Sequence, residues 1–273
     1  MMASADDHSE FELFARELAR LGASTAQSML GTVTVSRKQD NTPVTEADHR
    51  VQAALLDVLA SRHPKHAILV EETVADPEQH AAIANSEYCW VIDPIDGTRN
   101  FARGLNVYAI SIGLLHRGNP VAAAMFDASS GRVYSATRGG GAHIDGETIQ
   151  MEDRNLSPDT VLLISSFRRH RPPDMVANWM GRFIFRNLGS ICVHFTWLAA
   201  GYAEGAYAPE CKLWDLAAGA LIVEEAGGRV SDVSGRSIWP IDLNAYNGED
   251  LPIIAATPTM HEHLINSYSE SPS

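Results

Sequence analysis

The sequence predicts a mixed α/β protein, because three kinds of pattern follow one another along its 273 residues. A helical pattern of apolar residues fills positions 8–30, short apolar runs joined by turn residues fill 107–149, and strand and helix patterns alternate from residue 160 onward. Hairpin-linked runs are typical of an antiparallel meander, and alternation is typical of an α/β layer. The polar stretch 152–158 separates these regions, so we predict an α+β half over residues 1–155 and an α/β half over residues 156–273.

The first half contains two predicted helices before its main strands. Helix 8–30 has an apolar stripe made of Phe11, Phe14, Leu18 and Leu21. A turn over residues 38–43 precedes the second helix, whose stripe is made of Val51, Leu55, Val58 and Leu59. Thr45 and Asp48 have the spacing of a capping box at its start. Strands are predicted over residues 66–70, 90–93, 108–115, 120–126, 132–137 and 142–149.

The second half alternates between the two kinds of element. Predicted strands occupy residues 160–166, 183–187, 205–208 and 251–256. Predicted helices occupy residues 172–181, 189–201 and 214–225. Gly227 should follow the end of the last of these, because glycine favours the left-handed conformation found there. Thr257 and Pro258 should begin a final helix as its N-cap and first residue.

The stretch Asp93-Pro94-Ile95-Asp96-Gly97-Thr98 combines two acids with turn residues. The apolar run before it predicts a buried strand that delivers Asp93 to its end, and Pro94 should stop that strand because proline lacks a ladder N–H. Gly97 permits a positive φ, and Thr98 is the predicted N-cap of a following helix. Carboxylates attract cations and the N–H groups of a helix start attract anions, so this turn favours metal-assisted phosphate chemistry.

Two other interpretations of this turn exist. The first is an ordinary loop, since loops often combine Asp, Pro and Gly without any catalytic role. This interpretation does not explain why two acids follow a wholly apolar strand. Phosphatases with an aspartyl nucleophile use Asp-x-Asp-Gly-Thr near the N-terminus. Asp93 and Asp96 are instead three residues apart and lie far from the N-terminus, so this second interpretation fails.

The charge balance narrows the possible partners. The chain carries 34 acidic and 21 basic residues, a net charge of −13, which argues against a nucleic-acid polymer because phosphate backbones need a basic surface. Two unit charges about 4 Å apart repel by roughly 4 kcal/mol at an effective dielectric constant of about 20, so clustered acids need bound cations or basic partners. The three cysteines do not make a disulfide framework, no apolar run approaches about 20 residues, and the acidic N-terminus lacks signal-peptide features. We therefore expect a cytoplasmic protein with no membrane partner.

Two further motifs flank the central one in a fixed order. Leu69-Val70-Glu71-Glu72-Thr73 lies upstream, and Trp214-Asp215-Leu216-Ala217-Ala218-Gly219, followed by Glu225-Ala226-Gly227-Gly228, lies downstream. Together the three resemble the signatures of the inositol monophosphatase family of Mg²⁺-dependent phosphatases, over a region from about Lys38 to Ala256. The resemblance implies a layered αβαβα sandwich with the active site between its two halves.

The resemblance also implies a set of site residues. Two or three Mg²⁺ ions would be held by Glu71, Asp93, Asp96, Asp215 and the backbone carbonyl of Ile95. A metal-activated water would be positioned by Glu71 and Thr98, with Asp48 holding water outside the metals, and the N–H groups of Gly97 and Thr98 would bind the phosphate. The implied substrate-binding residues are Asp96, Gly189, Ser190, Glu210 and Asp215.

Three of the implied acids also have ordinary structural explanations. Asp48 fits the capping box, Asp215 fits an N-cap at a helix start, and Glu71 with Glu72 fits a solvated strand end. For Asp48 the two roles are compatible and both stay open.

One position departs from the family pattern. Seven residues before Asp215, enzymes acting on inositol phosphate carry a Glu that accepts hydrogen bonds from ring hydroxyls, and here that position is Ala208. Because unpaired buried hydroxyls cost roughly 1–3 kcal/mol, we predict a phosphomonoesterase that prefers another small metabolite, such as histidinol phosphate, fructose 1,6-bisphosphate or a nucleotide 3′-phosphate. The alternative is a broad inositol-type phosphatase in which Glu210 replaces the missing acceptor.

Other departures surround the same predicted pocket. Lys212 adds a cation, and Ile191 is bulkier than the Ala common at its position. Arg168, Arg169 and His170 either approach a second anionic group or form a solvated basic loop.

Family members are commonly homodimers, and the apolar meander offers an interface unless its strands face the chain's own core. A hypothesis of a different class is a regulatory or interaction protein that retains the fold and the acids without catalysis.

Overall fold

The computed structural model describes residues 5–32, 35–37, 43–71, 83, 86–167 and 172–269. The turn predicted over 38–43, except for Pro43, lies outside the described residues, as do Glu72 and the basic run from Arg168 to His170.

The helices whose bounds the structure gives are α1 (Ala5–Gln27), α2 (Glu46–Arg62), α3 (Thr98–Phe101), α4 (Asp174–Arg182), α5 (Ile191–Ala199), α6 (Leu213–Glu225) and α7 (Pro258–Ser269). The strands of the first half are β1 (Val35–Arg37), β2 (Pro43–Thr45), β3 (Ala67–Val70), β4 (Tyr88–Asp96), β5 (Ala109–His116), β6 (Asn119–Asp127), β7 (Arg132–Thr137), β8 (Gly141–Ile144) and β9 (Glu147–Ile149). Those of the second half are β10 (Val161–Ile164), β11 (Ile184–Arg186), β12 (Gly205–Ala208), β13 (Arg229–Asp232) and β14 (Ile253–Ala256).

Two mixed sheets organise these elements. The seven-stranded sheet has the order β3-β4-β5-β6-β7-β8-β9 and is antiparallel except for the parallel pair β3–β4. The five-stranded sheet has the order β11-β10-β12-β14-β13, with β10 parallel to both of its neighbours and the other pairs antiparallel. β1 and β2 form a separate antiparallel ribbon.

Helices and sheets stack in five layers. One apolar cluster joins α1 and α2 to the outer face of the seven-stranded sheet. A second cluster joins the inner face of that sheet to α5, α6 and the five-stranded sheet, and a third joins the other face of the five-stranded sheet to α4 and α7. Helix α6 belongs to the predicted second half but packs on the sheet of the first half. The division into two halves at residue 155 stays a prediction.

The central meander strands β5 and β6 are buried on both faces. Ile110, Ile112 and Leu114 of β5 pack in the cluster with α1 and α2, whereas Ala123 and Met125 of β6 pack in the cluster with α5 and α6. The chain itself therefore covers the apolar faces of β5 and β6, whereas residues of the edge strands β8 and β9 are partly exposed, so an interface at the meander stays a prediction. The homodimer stays a prediction.

Several predicted boundaries are wrong, and each has a local reason. Strand β4 does not stop at Pro94 but continues to Asp96, because a bulge takes the proline out of the ladder. Gly97, not Thr98, is the N-cap of α3, and its φ of 92° explains why glycine stands there. The strand predicted over 142–149 is two strands, because Asp145 and Gly146 turn the chain with positive φ values of 52° and 94°.

Stacked rings connect the end of α2 to the edge of the first sheet. The His66 ring lies 4.8 Å from those of His63 and Tyr88, measured between centroids, and its Nδ1 accepts a hydrogen bond from Trp90 Nε1 at 3.1 Å. Burial, and to a smaller extent the charge of the neighbouring His63, lower the pKa of His66 to about 4.

This histidine should make the fold acid-sensitive. Its folded pKa lies below the ordinary value of 6.5, so protons bind better to the unfolded chain, and stability is lost as the pH falls from about 6.5 towards 4. We expect the melting temperature to fall less over this range in His66→Asn than in the wild type, because Asn does not titrate but keeps an acceptor for Trp90. Equal falls in both proteins would contradict the role of His66.

Candidate active site

The bulge in β4 brings Asp93 and Asp96 to one side of the sheet. Side chains three residues apart on a regular strand point to opposite faces. Here Asp93 pairs with Ser111 and Asp96 with Ala109, so β4 has one more residue than β5 between these pairs. The Asp93 carboxylate is 2% exposed, and its Oδ1 accepts the N–H of Ile95 at 2.9 Å.

The third acid comes from α6. Ser111 donates from Oγ to the carbonyl of Trp214 at 3.0 Å, which ties the helix start to β5. A Cβ at Gly113 would lie only 3.0 Å from the Ala217 Cβ, so small residues on both sides allow this close packing. Asp215 is thereby placed so that it, Asp93 and Asp96 each offer an oxygen within 4.8 Å of the others.

Glu71 reaches the same edge from β3. Strands β3 and β4 are parallel, and Val70 pairs with Ile92, so Glu71 follows β3 where Asp93 follows the apolar part of β4. Its charge raises the pKa values of both Asp93 and Asp215. The structure therefore brings Asp93, Asp96 and Asp215 together and places Glu71 at the same edge of the sheet. A metal bond to Glu71 stays a prediction.

Electrostatics make this cluster suited to a cation. Burial, and then the charges of Glu71, Asp96, Asp215 and Asp48, raise the pKa of Asp93 well above its usual range. Burial and then Asp96 do the same for Asp215. A buried set of oxygen donors that repel one another fits a hard divalent cation such as Mg²⁺, which would neutralise them.

Thr98 and Asp48 meet beside this cluster. Thr98 Oγ1 lies 3.3 Å from Asp48 Oδ1 and 3.0 Å from the carbonyl oxygen of Ile95, and both are acceptors for its proton. Asp48 Oδ2 accepts from the Thr45 N–H at 2.8 Å, so the capping box exists and Asp48 also faces the site. A relay from Thr98 to Glu71 and a metal bond to the Ile95 carbonyl stay predictions.

Gly97 is required by close packing. A Cβ there would lie 2.9 Å from the Val107 carbonyl oxygen and 3.2 Å from the Ser190 Cβ. The backbone N–H groups of Gly97 and Thr98 thus lie in a tight turn beside the acids, where phosphate binding stays a prediction.

Ser190 has a contact that the sequence did not predict. Its Oγ and the N–H of Cys192 both donate to Asp96 Oδ2, each at 2.6 Å, and Ser190 also caps α5 by accepting the Val193 N–H. These two bonds oppose the effect of burial, which raises the pKa of Asp96. The Ser190 side chain therefore orients Asp96, and substrate binding by Ser190 and by Gly189 stays a prediction.

Asn100 is a second residue that sequence reasoning missed. Its Nδ2 donates to the carbonyls of Val107 at 2.7 Å and Leu188 at 2.8 Å, and Gly189 packs against its side chain. It joins the turn that follows Asp96 to the loop before α5. The sequence feature that could have identified Asn100 is its position two residues after Thr98, the last residue of the central motif.

The predicted specificity pocket differs in one respect from expectation. Ala208 and Glu210 are both buried, as the end of β12 requires. Lys212 Nζ, however, lies 2.9 Å from Asp250 Oδ1 and donates to the Gly248 carbonyl. The extra cation expected from Lys212 is therefore offset by an acid.

The sequence profile of the inositol monophosphatase family matches residues 7–273. The chain belongs to the inositol monophosphatase family. It is 37% identical over 208 residues to the chloroplastic phosphatase IMPL1 of Arabidopsis thaliana, a match that spans 70% of this chain and about half, 54%, of that protein. It is 30% identical over 238 residues to the Nus factor SuhB of Escherichia coli K12, spanning 85% of this chain and 87% of that one.

Solved structures share the fold. An IMPase of Thermotoga maritima is 26% identical, with a TM-score of 0.79 over 94% of this chain and 96% of that one. An IMPase/NADP phosphatase solved with Mg²⁺ and phosphate is 22% identical, with a TM-score of 0.79 over 95% and 94% of the two chains, and at that identity the likeness concerns the fold. The layered α/β fold predicted from the sequence is confirmed, and the family indicates a phosphatase.

Within the described residues, none of the helices has both the length and the apolar character needed to span a membrane. The predicted cytoplasmic location stays a prediction.

Proposed function

We propose that this chain is a Mg²⁺-dependent phosphomonoesterase that hydrolyses a small phosphorylated metabolite. The observation that carries the proposal is the cluster of Asp93, Asp96 and Asp215 oxygens within 4.8 Å of one another. Asp93 and Asp215 are only 2% and 6% exposed, and such buried acids are rarely tolerated unless they pair or bind metal. The family supports a phosphate monoester as the substrate class.

Each residue near the cluster has a role in the proposed reaction. Bound Mg²⁺ would supply Lewis-acid activation of water and neutralise charge on the phosphate. Glu71 takes a proton from the attacking water, and Thr98, oriented by Asp48 and the Ile95 carbonyl, holds that water by hydrogen bonding. The N–H groups of Gly97 and Thr98 bind the phosphate oxygens. The water oxygen bonds to phosphorus as the ester P–O bond breaks. The leaving oxygen takes a proton from solvent and Glu71 returns its proton to solvent, which yields an alcohol and inorganic phosphate.

The substrate we propose is not inositol 1-phosphate. The methyl group of Ala208 cannot accept a hydrogen bond from a ring hydroxyl. Lys212 pairs with Asp250, so its charge does not by itself select a substrate with a second anionic group. Glu210 is the buried acid that would supply the acceptor in a broad inositol-type enzyme.

A panel of phosphomonoesters tests this specificity. With histidinol phosphate, fructose 1,6-bisphosphate, a nucleotide 3′-phosphate and inositol 1-phosphate, we expect kcat/KM to favour one of the first three by about 10-fold or more, since one unpaired hydroxyl costs about 1–3 kcal/mol. Ala208→Glu should raise kcat/KM for inositol 1-phosphate. If the enzyme prefers inositol 1-phosphate and keeps that preference in Glu210→Ala, two ideas are refuted. The missing acceptor at Ala208 would not exclude inositol 1-phosphate, and Glu210 would not be the acceptor that replaces it.

The Nus factors among the relatives favour a second candidate, a non-catalytic interaction protein. The retained acid cluster argues against it, because a protein without catalysis has no need to hold four repelling carboxylates together. Release of inorganic phosphate from any ester of the panel in the presence of Mg²⁺ separates the two candidates.

A further inference from the structure

Helix α6 carries Asp215 but begins on a residue that is poor at starting a helix. Its N-cap position is Lys212, whose side chain has no acceptor atom for the free N–H groups of the first turn. A cation at this end also faces the positive end of the helix dipole. The first turn therefore depends on groups from elsewhere in the chain.

The acceptor comes from residues 246–251, which we call the capping loop. The Tyr246 hydroxyl oxygen accepts the backbone N–H of Leu213, the first residue of α6, at 2.9 Å. Tyr246 is 1% exposed, and its ring lies edge-on to Trp214 with centroids 6.4 Å apart. A phenol 33 residues further along the chain thus serves as the cap that Lys212 cannot provide.

Three more contacts fix the capping loop to Cys211 and Lys212, the two residues just before the helix. Lys212 Nζ pairs with Asp250 and donates to the Gly248 carbonyl, which draws its charge away from the helix end. The Leu251 N–H donates to the Cys211 carbonyl at 2.7 Å. The loop is therefore attached at three points to the start of α6.

The start of α6 in turn sets the position of Asp215. The Lys212 N–H donates to Asp215 Oδ2 at 3.0 Å, so the carboxylate is bonded to the same turn that Tyr246 caps. Asp215 must stay close to Asp93 and Asp96 although these acids repel it. Any loosening of the first turn would let Asp215 move away from them.

We propose that Tyr246 is a positioning residue for Asp215: its hydroxyl fixes the first turn of α6 and thereby keeps the third carboxylate of the cluster in place. This inference rests on the proposed function, in which the cluster holds Mg²⁺. Tyr246 itself acts through the backbone of Leu213 and touches neither metal nor substrate.

Tyr246→Phe tests the proposal, because it removes one oxygen atom and keeps the buried ring. We expect Mg²⁺ affinity, measured by isothermal titration calorimetry, to fall about 10-fold, as it does when outer partners of metal ligands are removed. The amides of Leu213 and Trp214 should also exchange hydrogen faster. Tyr134→Phe is the matched control, since it removes a buried hydroxyl bonded to Ser130 outside the acid cluster, and it should leave Mg²⁺ affinity within about twofold.

Two further variants make the outcome decisive. Asp250→Asn weakens the capping loop from its other end and should lower Mg²⁺ affinity about threefold even if Tyr246→Phe does not fold. In an Asp215→Asn background, Tyr246→Phe should cause no further loss of Mg²⁺ affinity. Unchanged Mg²⁺ affinity in folded Tyr246→Phe, or in Asp250→Asn, would overturn the positioning role. Failure of the wild-type protein to bind Mg²⁺ would overturn the proposed function instead.

Discussion

Asp93→Asn should lower kcat/KM for phosphate release by about 100- to 1,000-fold, the range seen when one preorganised electrostatic contact of an active site is removed. Asp93 offers an oxygen within 4.8 Å of those of Asp96 and Asp215, and burial, followed by the charges of Glu71, Asp96, Asp215 and Asp48, raises its pKa. An amide fills the same volume but supplies a neutral oxygen, and the site would lose one of the charges that hold Mg²⁺. Phosphate release from the best ester of the panel measures the effect.

The matched control is Asp145→Asn. Asp145 lies in the turn between β8 and β9 and pairs with Arg132 at 2.9 Å, so the same chemical change there should leave kcat/KM within about twofold. Wild-type protein that has been chelated and dialysed should be inactive and should recover with Mg²⁺. Full activity in chelated protein, or in Asp93→Asn, would contradict the proposed metal dependence.

Elements with strong local patterns were predicted well. The apolar runs of β5, β6 and β7 and the turns between them lie close together in the chain, and they fold as hairpins where the sequence predicts them. Strand β13 and the ribbon of β1 and β2 were missed, because each is only three or four residues long and is stabilised by pairing rather than by its own pattern.

The acids of the site were predicted from motifs, but their support was not. Asp96 receives its hydrogen bonds from Ser190 and Cys192, which lie 94 and 96 residues away. Tyr246 caps a helix that begins 33 residues earlier. Such contacts depend on which helices and strands become neighbours in the folded layers. Neither hydrophobic periodicity nor motif spacing predicts which elements those are.

Pro94 shows how one local rule gave a wrong strand end. Proline cannot donate to a ladder, and the rule that it ends a strand assumes regular pairing. The bulge removes Pro94 from the ladder, so β4 continues, and the same bulge turns Asp96 towards Asp93. The residue that misled the strand prediction thus helps to build the site.

In the metal-free protein, the contribution of Asp93 and Asp215 to stability should fall as the pH rises from about 5 to 8, in opposition to the contribution of His66, and Mg²⁺ should restore it. Burial, followed by neighbouring carboxylates, raises the pKa values of Asp93 and Asp215 above their ordinary values. The folded chain therefore binds protons more tightly than the unfolded chain. Its stability is highest below the unfolded pKa and is lost as the pH rises through the folded pKa.

In the proposed site Mg²⁺ would replace those protons, so its stabilising effect should grow with pH. At a concentration of about 100 times its Kd it should contribute about 2.7 kcal/mol, or roughly 5–10 °C in Tm for a chain of this size. We would measure Tm with and without Mg²⁺ at pH 5 and at pH 8. Subtracting the Tm without Mg²⁺ from the Tm with Mg²⁺ at the same pH cancels the opposing contribution of His66.

Asp93→Asn should raise the Tm of the metal-free protein at pH 8, because it removes one of the repelling charges. The Tm of this variant should also lose most of its response to Mg²⁺. An equal gain from Mg²⁺ at both pH values, or a metal-free Asp93→Asn less stable than wild type at pH 8, would show that repulsion among these carboxylates does not limit the stability of the fold.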